Sequence, residues 1–241
     1  MDAGYGARYA ELYHRHWWWR AREAYLIHTL DRRFAPGAAG DILDFGCGDG
    51  LFFPALAKYG EPHGIEPEAA LLDPSGPWRA RISTDLLTVD PREAHRYGLI
   101  VALDVLEHLD DPAAALHELV RRLKPGGTFI ATVPAFQSLW TAHDDLNHHV
   151  RRYRREELEA LVTSAGLEVV RARYFFVWLA LLKWIVVRKE RLLGAKPQPP
   201  GIPWGPINAI VQGVCRAEQF ILADADPAFG SSLIVIAHKP G

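Results

Sequence analysis

The hydrophobic positions of the chain form short apolar runs that alternate with segments of helical period. Continuous runs such as LIVAL at 99–103 and FIATV at 129–133 are typical of central strands that are buried on both faces. The predicted strands are 41–45, 62–65, 81–84, 98–103, 128–133, 167–174 and 232–238. The predicted helices are 51–59, 112–123 and 155–165. This alternation predicts βαβ units and a parallel sheet covered by helices on both faces.

Two segments depart from the alternation. Residues 5–34 are amphipathic and rich in aromatic side chains, and 175–229 hold an apolar helix, a proline-rich linker and a second helical run. The apolar stretch YFFVWLALLKWIVV is shorter than the roughly 20 residues of a membrane-spanning helix. We predict one domain over 1–241, with an N-terminal helical lid (1–34) and a core (35–174 and 230–240). The helical insertion (175–229) is predicted to be a cap, a dimer arm or a membrane contact.

The composition narrows the functional class. With 241 residues, 49% of them hydrophobic, the chain can bury a large core. A net charge of −2 gives no global basic field, so we expect no nucleic-acid partner. The two cysteines, Cys47 and Cys215, are far apart and are expected to be reduced thiols. The N-terminus lacks a signal-peptide apolar region, which favours a cytoplasmic protein.

The stretch ILDFGCGDGLF predicts a strand, a glycine-rich turn and a helix. Its spacing is Asp44-x-Gly46-x-Gly48-x-Gly50, which differs from the G-x-G-x-x-G of dinucleotide sites. Glycines at such a turn let the backbone bend sharply and let a ligand approach the main chain. The pattern therefore indicates a cofactor at the end of the first core strand, and an NAD-dependent enzyme is the weaker alternative.

Acidic residues follow the next strands. Glu66 ends the second strand, where a carboxylate can accept hydrogen bonds from both ribose hydroxyls. Asp85 follows the third strand, in a position to receive an adenine amino group. The fourth strand runs directly into the acidic segment DVLEHLDDP, and LKPGG precedes the fifth. Together these features predict a nucleotide-type ligand across the strand ends.

In this order, the motifs resemble the class I S-adenosylmethionine-dependent methyltransferases. The closer resemblance is to a bacterial small-molecule subgroup with HWW-x-R before the core and GSSL near the C-terminus, and it covers residues 17–237. It implies a three-layer Rossmann-like α/β fold with a seven-stranded, mostly parallel sheet and an antiparallel last strand. It also implies an enzyme that uses S-adenosyl-L-methionine and releases S-adenosyl-L-homocysteine.

The resemblance implies a cofactor-binding set. Its members are Asp44, Gly46, Cys47, Gly48, Gly50, Glu66, Asp85, Leu86, Leu103 and Asp104. The glycines would line the methionine part, Glu66 would hold the ribose, and the backbone near Asp104 would face the methionine amino group. We also expect Arg20, or alternatively Arg22, to pair with the cofactor carboxylate.

The stretch TAHDDLNHHVRRYRREEL, residues 141–158, follows the fifth strand and is predicted to overhang the site. A histidine there can serve as a base because its ordinary pKa is about 6.5. The candidate catalytic residues are His143, Asp144 and His148. The candidate substrate-binding residues are Trp18, His108, His149, Arg152 and Tyr153. Residues 154–157 are interpreted as the solvated start of a helix.

The sequence favours O-methylation of a hydroxyl or carboxyl on a sugar, a lipid-linked saccharide or a secondary metabolite, without a metal. One alternative is a quinone-type O-methyltransferase that holds a divalent ion through Asp104, Glu107 and His108. Another is a non-catalytic cofactor-binding regulatory protein. The expected partner is a small-molecule substrate, and the insertion adds two alternatives, a homodimer or peripheral contact with the inner membrane surface.

Overall fold

The computed structural model describes residues 3–85, 94–194, 198 and 200–241, and only the backbone of residues 3–7. The helices are α1 Ala3–Arg15, α2 Trp17–Asp31, α3 Phe53–Leu56, α4 Pro112–Arg122, α5 Ala142–Leu146, α6 Arg155–Ser164, α7 Val177–Leu193 and α8 Gly205–Ile221. The strands are β1 Gly40–Phe45, β2 Gly60–Ile65, β3 Ile82–Ser83, β4 Tyr97–Leu103, β5 Leu123–Pro134, β6 Glu168–Phe175 and β7 Ser232–His238.

The strands form one seven-stranded sheet in the order β3-β2-β1-β4-β5-β7-β6. The last strand, β7, is antiparallel to both of its neighbours, and the other pairs are parallel. This confirms the predicted topology. The strand order reverses between β1 and β4, so their carboxyl ends border the crevice where open α/β sheets bind ligands.

Helices cover both faces of the sheet, as the continuous apolar runs predict. Leu43 and Phe45 of β1 point into a core shared with α4 and α6, whereas Ile42 points into a core shared with α2, α3 and α7. Alternate residues of a strand project to opposite faces, so a doubly covered strand must be apolar throughout.

Several predicted boundaries differ from the structure. The helix expected over 51–59 is the short α3, because the glycine turn continues as far as residue 52. The strand expected over 128–133 starts earlier, at Leu123, which pairs with Tyr97. The single N-terminal stretch is two helices. They meet at His16, whose Nδ1 accepts a hydrogen bond of 3.1 Å from the Trp18 N–H and so caps α2.

The insertion is attached to the N-terminal helices. Asn208 of α8 accepts a hydrogen bond from the Trp17 N–H at 2.9 Å, and Gln219 donates to the Ala21 carbonyl at 3.0 Å. Glu218 accepts from the first N–H groups of α7, which satisfies that helix end. Among the described residues, none of the helices combines the length and apolar content needed to cross a bilayer.

Candidate functional site

The loop after β1 adopts the conformation that its glycines predict. Gly46, Gly48 and Gly50 have φ values of 74°, 52° and 73°, in the left-handed region. A Cβ on Gly46 would lie 2.4 Å from a methyl group of Val105, so close packing requires glycine there. A Cβ on Gly48 would meet open space, so its backbone is accessible to a ligand.

Glu66 connects the end of β2 to this loop. Its carboxylate accepts hydrogen bonds of 2.9 Å from the N–H groups of Gly48 and Glu68. Burial raises the pKa of Glu66, and the two backbone hydrogen bonds oppose that rise. Asp85 is exposed beyond β3, and Leu86 lies outside the described residues. The carboxylate expected to hold a ribose thus stands directly beside the glycine turn.

The surroundings of Asp44 show whether a positively charged cofactor would fit beside the glycine loop. It is buried beside the loop, and no described residue donates a hydrogen bond to its carboxylate. Burial raises the pKa of Asp44 to about 8, and Arg22 only partly offsets this. A positively charged ligand would stabilise the ionised carboxylate. S-adenosylmethionine carries a sulfonium and an ammonium group, so these residues fit the expected cofactor.

Of the two arginines of α2 considered for the cofactor, Arg22 is the one that reaches the end of β4. Arg22 is buried, and its Nε lies 2.6 Å from the Asp104 carboxylate. Thr132 joins the pair by accepting from Arg22 at 3.2 Å and donating to Asp104 at 2.9 Å. Arg20 is exposed and reaches only the His14 carbonyl, at 3.4 Å. The expectation for Arg20 is therefore corrected, since two residues along a helix turn the side chains by about 200°, to nearly opposite sides.

The N-terminal helices pack over the glycine loop. Trp19 is buried in a cluster with Leu12, and Leu51 from the end of the loop packs against that cluster. Trp18 is half-buried beside Arg22, with the guanidinium 5.6 Å from the ring centroid. This arrangement agrees with the lid predicted over 1–34, which stays a prediction.

A cavity of about 390 Å³, here called the main cavity, opens between the end of β4, α2, α5 and α7. The predicted site residues that line it are Trp18, Asp104, His108, His143, Asp144, His149 and Arg152. Trp17, Leu179 and Val186 supply apolar wall. The histidine-rich stretch and the end of β4, distant in sequence, therefore share one space.

Asp144 is the centre of a buried polar network. Arg152 contacts both carboxylate oxygens at 2.9 Å, Thr141 donates from its N–H at 2.8 Å, and His149 Nδ1 lies 2.8 Å away. Burial alone would raise the pKa of Asp144, but the hydrogen bond from His149 and the charge of Arg152 hold it well below its ordinary value. So weak a base is unsuited to proton abstraction, so the catalytic role expected of Asp144 is not supported.

The two other catalytic candidates are also revised. His143 lines the main cavity, and burial followed by the charge of Lys183 lowers its pKa to about 4. Its Nε2 lies 3.0 Å from the Asn147 side-chain amide, which also donates to the His143 carbonyl, so that nitrogen is a poor proton acceptor. His148 is exposed, with φ of 56°, and does not line the cavity. The expected catalytic role of His148 is not supported.

Two expected substrate-binding side chains are engaged in structural contacts. The Tyr153 hydroxyl donates to the Leu106 carbonyl at 3.0 Å, and its ring packs in the core outside the main cavity. Arg152 lines the cavity, but its guanidinium is occupied by Asp144 and by the Ala135 carbonyl. Both side chains therefore stabilise the loop that carries His149.

Glu107, His108 and His149 form a cluster whose potential ligand atoms all lie within 4.8 Å of one another. Glu107 is fully buried, and neither carboxylate oxygen has a hydrogen-bond partner. Burial, followed by the charge of Asp104, raises the pKa of Glu107 well above its ordinary value. Burial, followed by His149, lowers the pKa of His108 to about 4. The alternative metal set of Asp104, Glu107 and His108 is not the set that the structure brings together, because Asp104 pairs with Arg22 and His149 lies beside the other two.

Lys183 of α7 is a site residue that sequence reasoning missed. It lines the main cavity, and no described residue contacts its ammonium group in a hydrogen bond or ion pair. Burial, followed by the charge of Arg152, lowers its pKa to about 7. The only signal in the sequence is its position as the single charge inside an apolar run.

Comparison with known proteins agrees with this geometry. Residues 18–172 match the family described as "Methyltransferase domain". The chain is 26% identical over 179 residues to a ubiquinone biosynthesis O-methyltransferase of Hydrogenovibrio crunogenus, covering 63% of this chain and 74% of that protein. It is 30% identical over 172 residues to the protein of the same name from Thiobacillus denitrificans, covering 64% and 67%.

A solved complex of the Haloferax volcanii Trm112 methyltransferase activator with a methyltransferase is similar in fold. The TM-score is 0.60 at 17% identity, and the match covers 99% of this chain and 95% of that one. The family match, the sheet order and the cofactor loop lead to one conclusion. The chain belongs to the methyltransferase family, and it is a class I enzyme that depends on S-adenosylmethionine.

Proposed function

We propose that the chain methylates a hydroxyl group of a small, largely apolar acceptor that enters the main cavity. The observation that carries this proposal is the position of the cavity, which extends from Asp104, at the end of β4, to His149. When bound, S-adenosylmethionine supplies a methyl group on a sulfonium. The tryptophan-lined wall suits an aromatic or lipid-like acceptor better than a sugar.

A hydroxyl acceptor must lose its proton, and His149 is the residue best placed to accept it. Asp144 lies 2.8 Å from His149 Nδ1 and is ionised, so it accepts the Nδ1–H and fixes that tautomer. The other ring nitrogen, Nε2, lies 4.0 Å from the Glu107 carboxylate. We therefore infer a carboxylate–histidine pair, with His149 as the base and Asp144 as its positioning residue.

The cluster of Glu107, His108 and His149 favours a second candidate function, a metal-assisted O-methyltransferase of the quinone type. The unpartnered oxygens of Glu107 and the Asp144–His149 contact are typical of metal ligands and of the groups that orient them. A divalent ion held by Glu107, His108 and His149 would lower the pKa of an acceptor hydroxyl. The ubiquinone biosynthesis names of the relatives agree with this candidate.

One experiment tests both candidates. The protein is incubated with methyl-labelled S-adenosylmethionine and catechol, before and after dialysis against EDTA, and the monomethyl ether is measured. Label in the ether that persists after dialysis supports His149 as the base. Loss on dialysis, with recovery on adding Mg²⁺ or Zn²⁺, supports the metal-assisted candidate. Binding of S-adenosylhomocysteine without transfer to catechol or to long-chain phenols would contradict hydroxyl methylation.

Arg22 provides a test of cofactor recognition. Arg22 lies beside Asp104, and we propose that it also pairs with the carboxylate of the cofactor. We therefore expect Arg22→Gln to weaken S-adenosylhomocysteine binding roughly tenfold or more, because this charge-assisted contact is lost. Arg20→Gln is the matched control, since Arg20 is exposed and should leave the affinity unchanged. Isothermal titration calorimetry measures both. Equal effects of the two substitutions would refute a specific role for Arg22.

We also propose peripheral membrane contact through the outer surfaces of α7 and α8. Trp184, Ile185 and Leu192 on α7, and Ile210 and Phe220 on α8, are exposed. Arg188, Lys189 and Arg191 add basic charge at the end of α7, which suits an anionic bilayer. We expect co-sedimentation with phosphatidylglycerol vesicles, and weaker co-sedimentation for Trp184→Ser. A concentration-dependent dimer without vesicle binding would favour the dimer arm instead.

A further inference from the structure

A second cavity, of about 220 Å³, lies between α2, β6 and α8. It shares no lining residue with the main cavity. Its lining includes four arginines, Arg32, Arg33, Arg171 and Arg173, and none of its described lining residues is acidic. Because the whole chain has a net charge of −2, this local excess of positive charge is not part of a general basic surface. We call it the arginine cavity.

Two of these arginines are partly used at the C-terminal end of α8. Arg173 donates to the Leu222 and Ala223 carbonyls at 2.6 and 2.7 Å, a contact that stabilises a helix end. Its Nε is nevertheless buried without a hydrogen-bond partner. Arg171 approaches carbonyls of the same segment only at 3.4 and 3.5 Å. Both Arg171 and Arg173 therefore keep N–H groups that could donate hydrogen bonds to a ligand.

The other two arginines differ in their partners. Arg32 lies 2.9 Å from Asp224, and both side chains are largely exposed, so this ion pair is weak. Arg33 is half-buried, and within the described part of the chain its guanidinium makes neither an ion pair nor a hydrogen bond, while its backbone N–H donates to the Leu30 carbonyl at 2.9 Å. Burial, followed by the charges of Arg171 and Arg32, lowers the pKa of Arg33. Asp224 thus pairs with Arg32 alone, and a bound anion would relieve the repulsion among the other guanidinium groups, which have no acidic partner among the described residues.

The shape and donors of the cavity indicate the class of anion. Guanidinium groups bind phosphate oxygens with two parallel hydrogen bonds, and several of them together match a multiply charged group. His28 and Gln219 line the same space, and Gln219 retains a second amide hydrogen beside the one it donates to the Ala21 carbonyl. A volume of about 220 Å³ holds roughly seven waters at about 30 Å³ each, which is enough for a phosphate or a diphosphate.

We propose that the arginine cavity binds a phosphate-bearing anion, either free in solution or as the phosphomonoester headgroup of a lipid. The site is separate from the main cavity and does not depend on the proposed acceptor. Arg33 is the most informative residue, because it has no structural partner among the described residues that its replacement would remove.

Calorimetry with sodium pyrophosphate at constant ionic strength tests the proposal. Wild type is expected to bind pyrophosphate. The affinities of Arg33→Gln and Arg171→Gln are each expected to be lower by about tenfold or more. Arg216→Gln is the matched control, since Arg216 is exposed on α8 and does not line the cavity. Absence of binding by wild type, or equal loss in all three variants, would overturn the proposal.

A vesicle experiment separates the two sources of the anion. Wild type and Arg33→Gln are sedimented with phosphatidylcholine vesicles that do or do not contain phosphatidic acid, with and without competing pyrophosphate. Binding that needs phosphatidic acid, is displaced by pyrophosphate and is reduced in Arg33→Gln identifies a lipid headgroup. Pyrophosphate binding in calorimetry without such vesicle binding identifies a free anion. Neither outcome depends on S-adenosylhomocysteine binding or methyl transfer, so this proposal and the proposed function can fail separately.

Discussion

Replacing His149 with asparagine is expected to lower kcat by about 10²–10⁴-fold, the usual contribution of a positioned acid–base residue. The asparagine amide can still donate to Asp144 from the place of Nδ1, so the buried network is retained. What is lost is Nε2, the nitrogen that faces Glu107 at 4.0 Å. Single-turnover transfer to catechol measures the effect, and S-adenosylhomocysteine affinity should stay within about twofold, because His149 is not in the glycine loop.

His148→Asn is the matched control for this substitution. The two histidines are adjacent in sequence, but His148 is exposed and lies outside the main cavity. Its replacement should leave turnover near wild type. If His148→Asn lowered turnover as much as His149→Asn, the assignment of the base would be wrong. If EDTA already abolishes transfer in wild type, the loss in His149→Asn reports a metal ligand instead.

Replacing Asp144 with asparagine is expected to destabilise the fold by about 3–5 kcal/mol, because it leaves the Arg152 guanidinium buried without its counter-charge. At about 2–4 °C per kcal/mol for a chain of this size, Tm should fall by roughly 6–20 °C. Both side chains are almost completely buried, so solvent cannot screen the loss. Differential scanning calorimetry or urea unfolding measures the change.

Glu118→Gln is the matched control, since Glu118 pairs with Arg121 at 3.3 Å on the surface of α4. That substitution should cost less than about 1 kcal/mol. A similar small cost for Asp144→Asn would contradict a strongly stabilising network. Turnover should also fall in Asp144→Asn, because the neutral amide no longer fixes the His149 tautomer.

The pH dependence of stability follows from the same residue. Asp144 has a lower pKa in the folded state than the ordinary value of about 3.9. Its ionised form is therefore favoured by folding, and this contribution is complete above the ordinary value and is lost as the pH falls below about 4. Wild type should thus lose more stability than Asp144→Asn between pH 5 and pH 2. Parallel decreases in the two proteins would exclude Asp144 as the source.

The fold could be predicted from the sequence because local patterns of residue type specify its central strands and its glycine turn. The apolar runs at 99–103 and 129–133 became the central strands β4 and β5. Gly46 requires positive φ and also close contact with Val105, so the turn after β1 is specified by residue type. Boundaries were predicted less well where long-range pairing decided them, as when Tyr97 extends β5 back to Leu123.

The sequence placed the histidine-rich stretch near the end of the fifth strand, but it did not show which contact each of its side chains makes. Only part of the stretch 141–158 lines the main cavity, up to Arg152, and His143, His148 and His149 look alike in sequence. Their different roles follow from Asn147 beside the first, solvent around the second and Asp144 beside the third. No periodicity distinguishes them, because the loop that carries them is shaped by the buried Arg152 pair.

The sequence by itself determined the family fold, the cofactor loop and the acidic residues at the strand ends, because each depends on residue type at short spacing. Only the tertiary structure decided which charges are paired. Arg22 meets Asp104, Arg152 meets Asp144, and Glu107 is left beside two histidines. The arginine cavity likewise joins α2 to β6, two segments far apart in the chain. Such contacts arise from packing between distant elements, and a local pattern does not encode which polar groups burial will bring together.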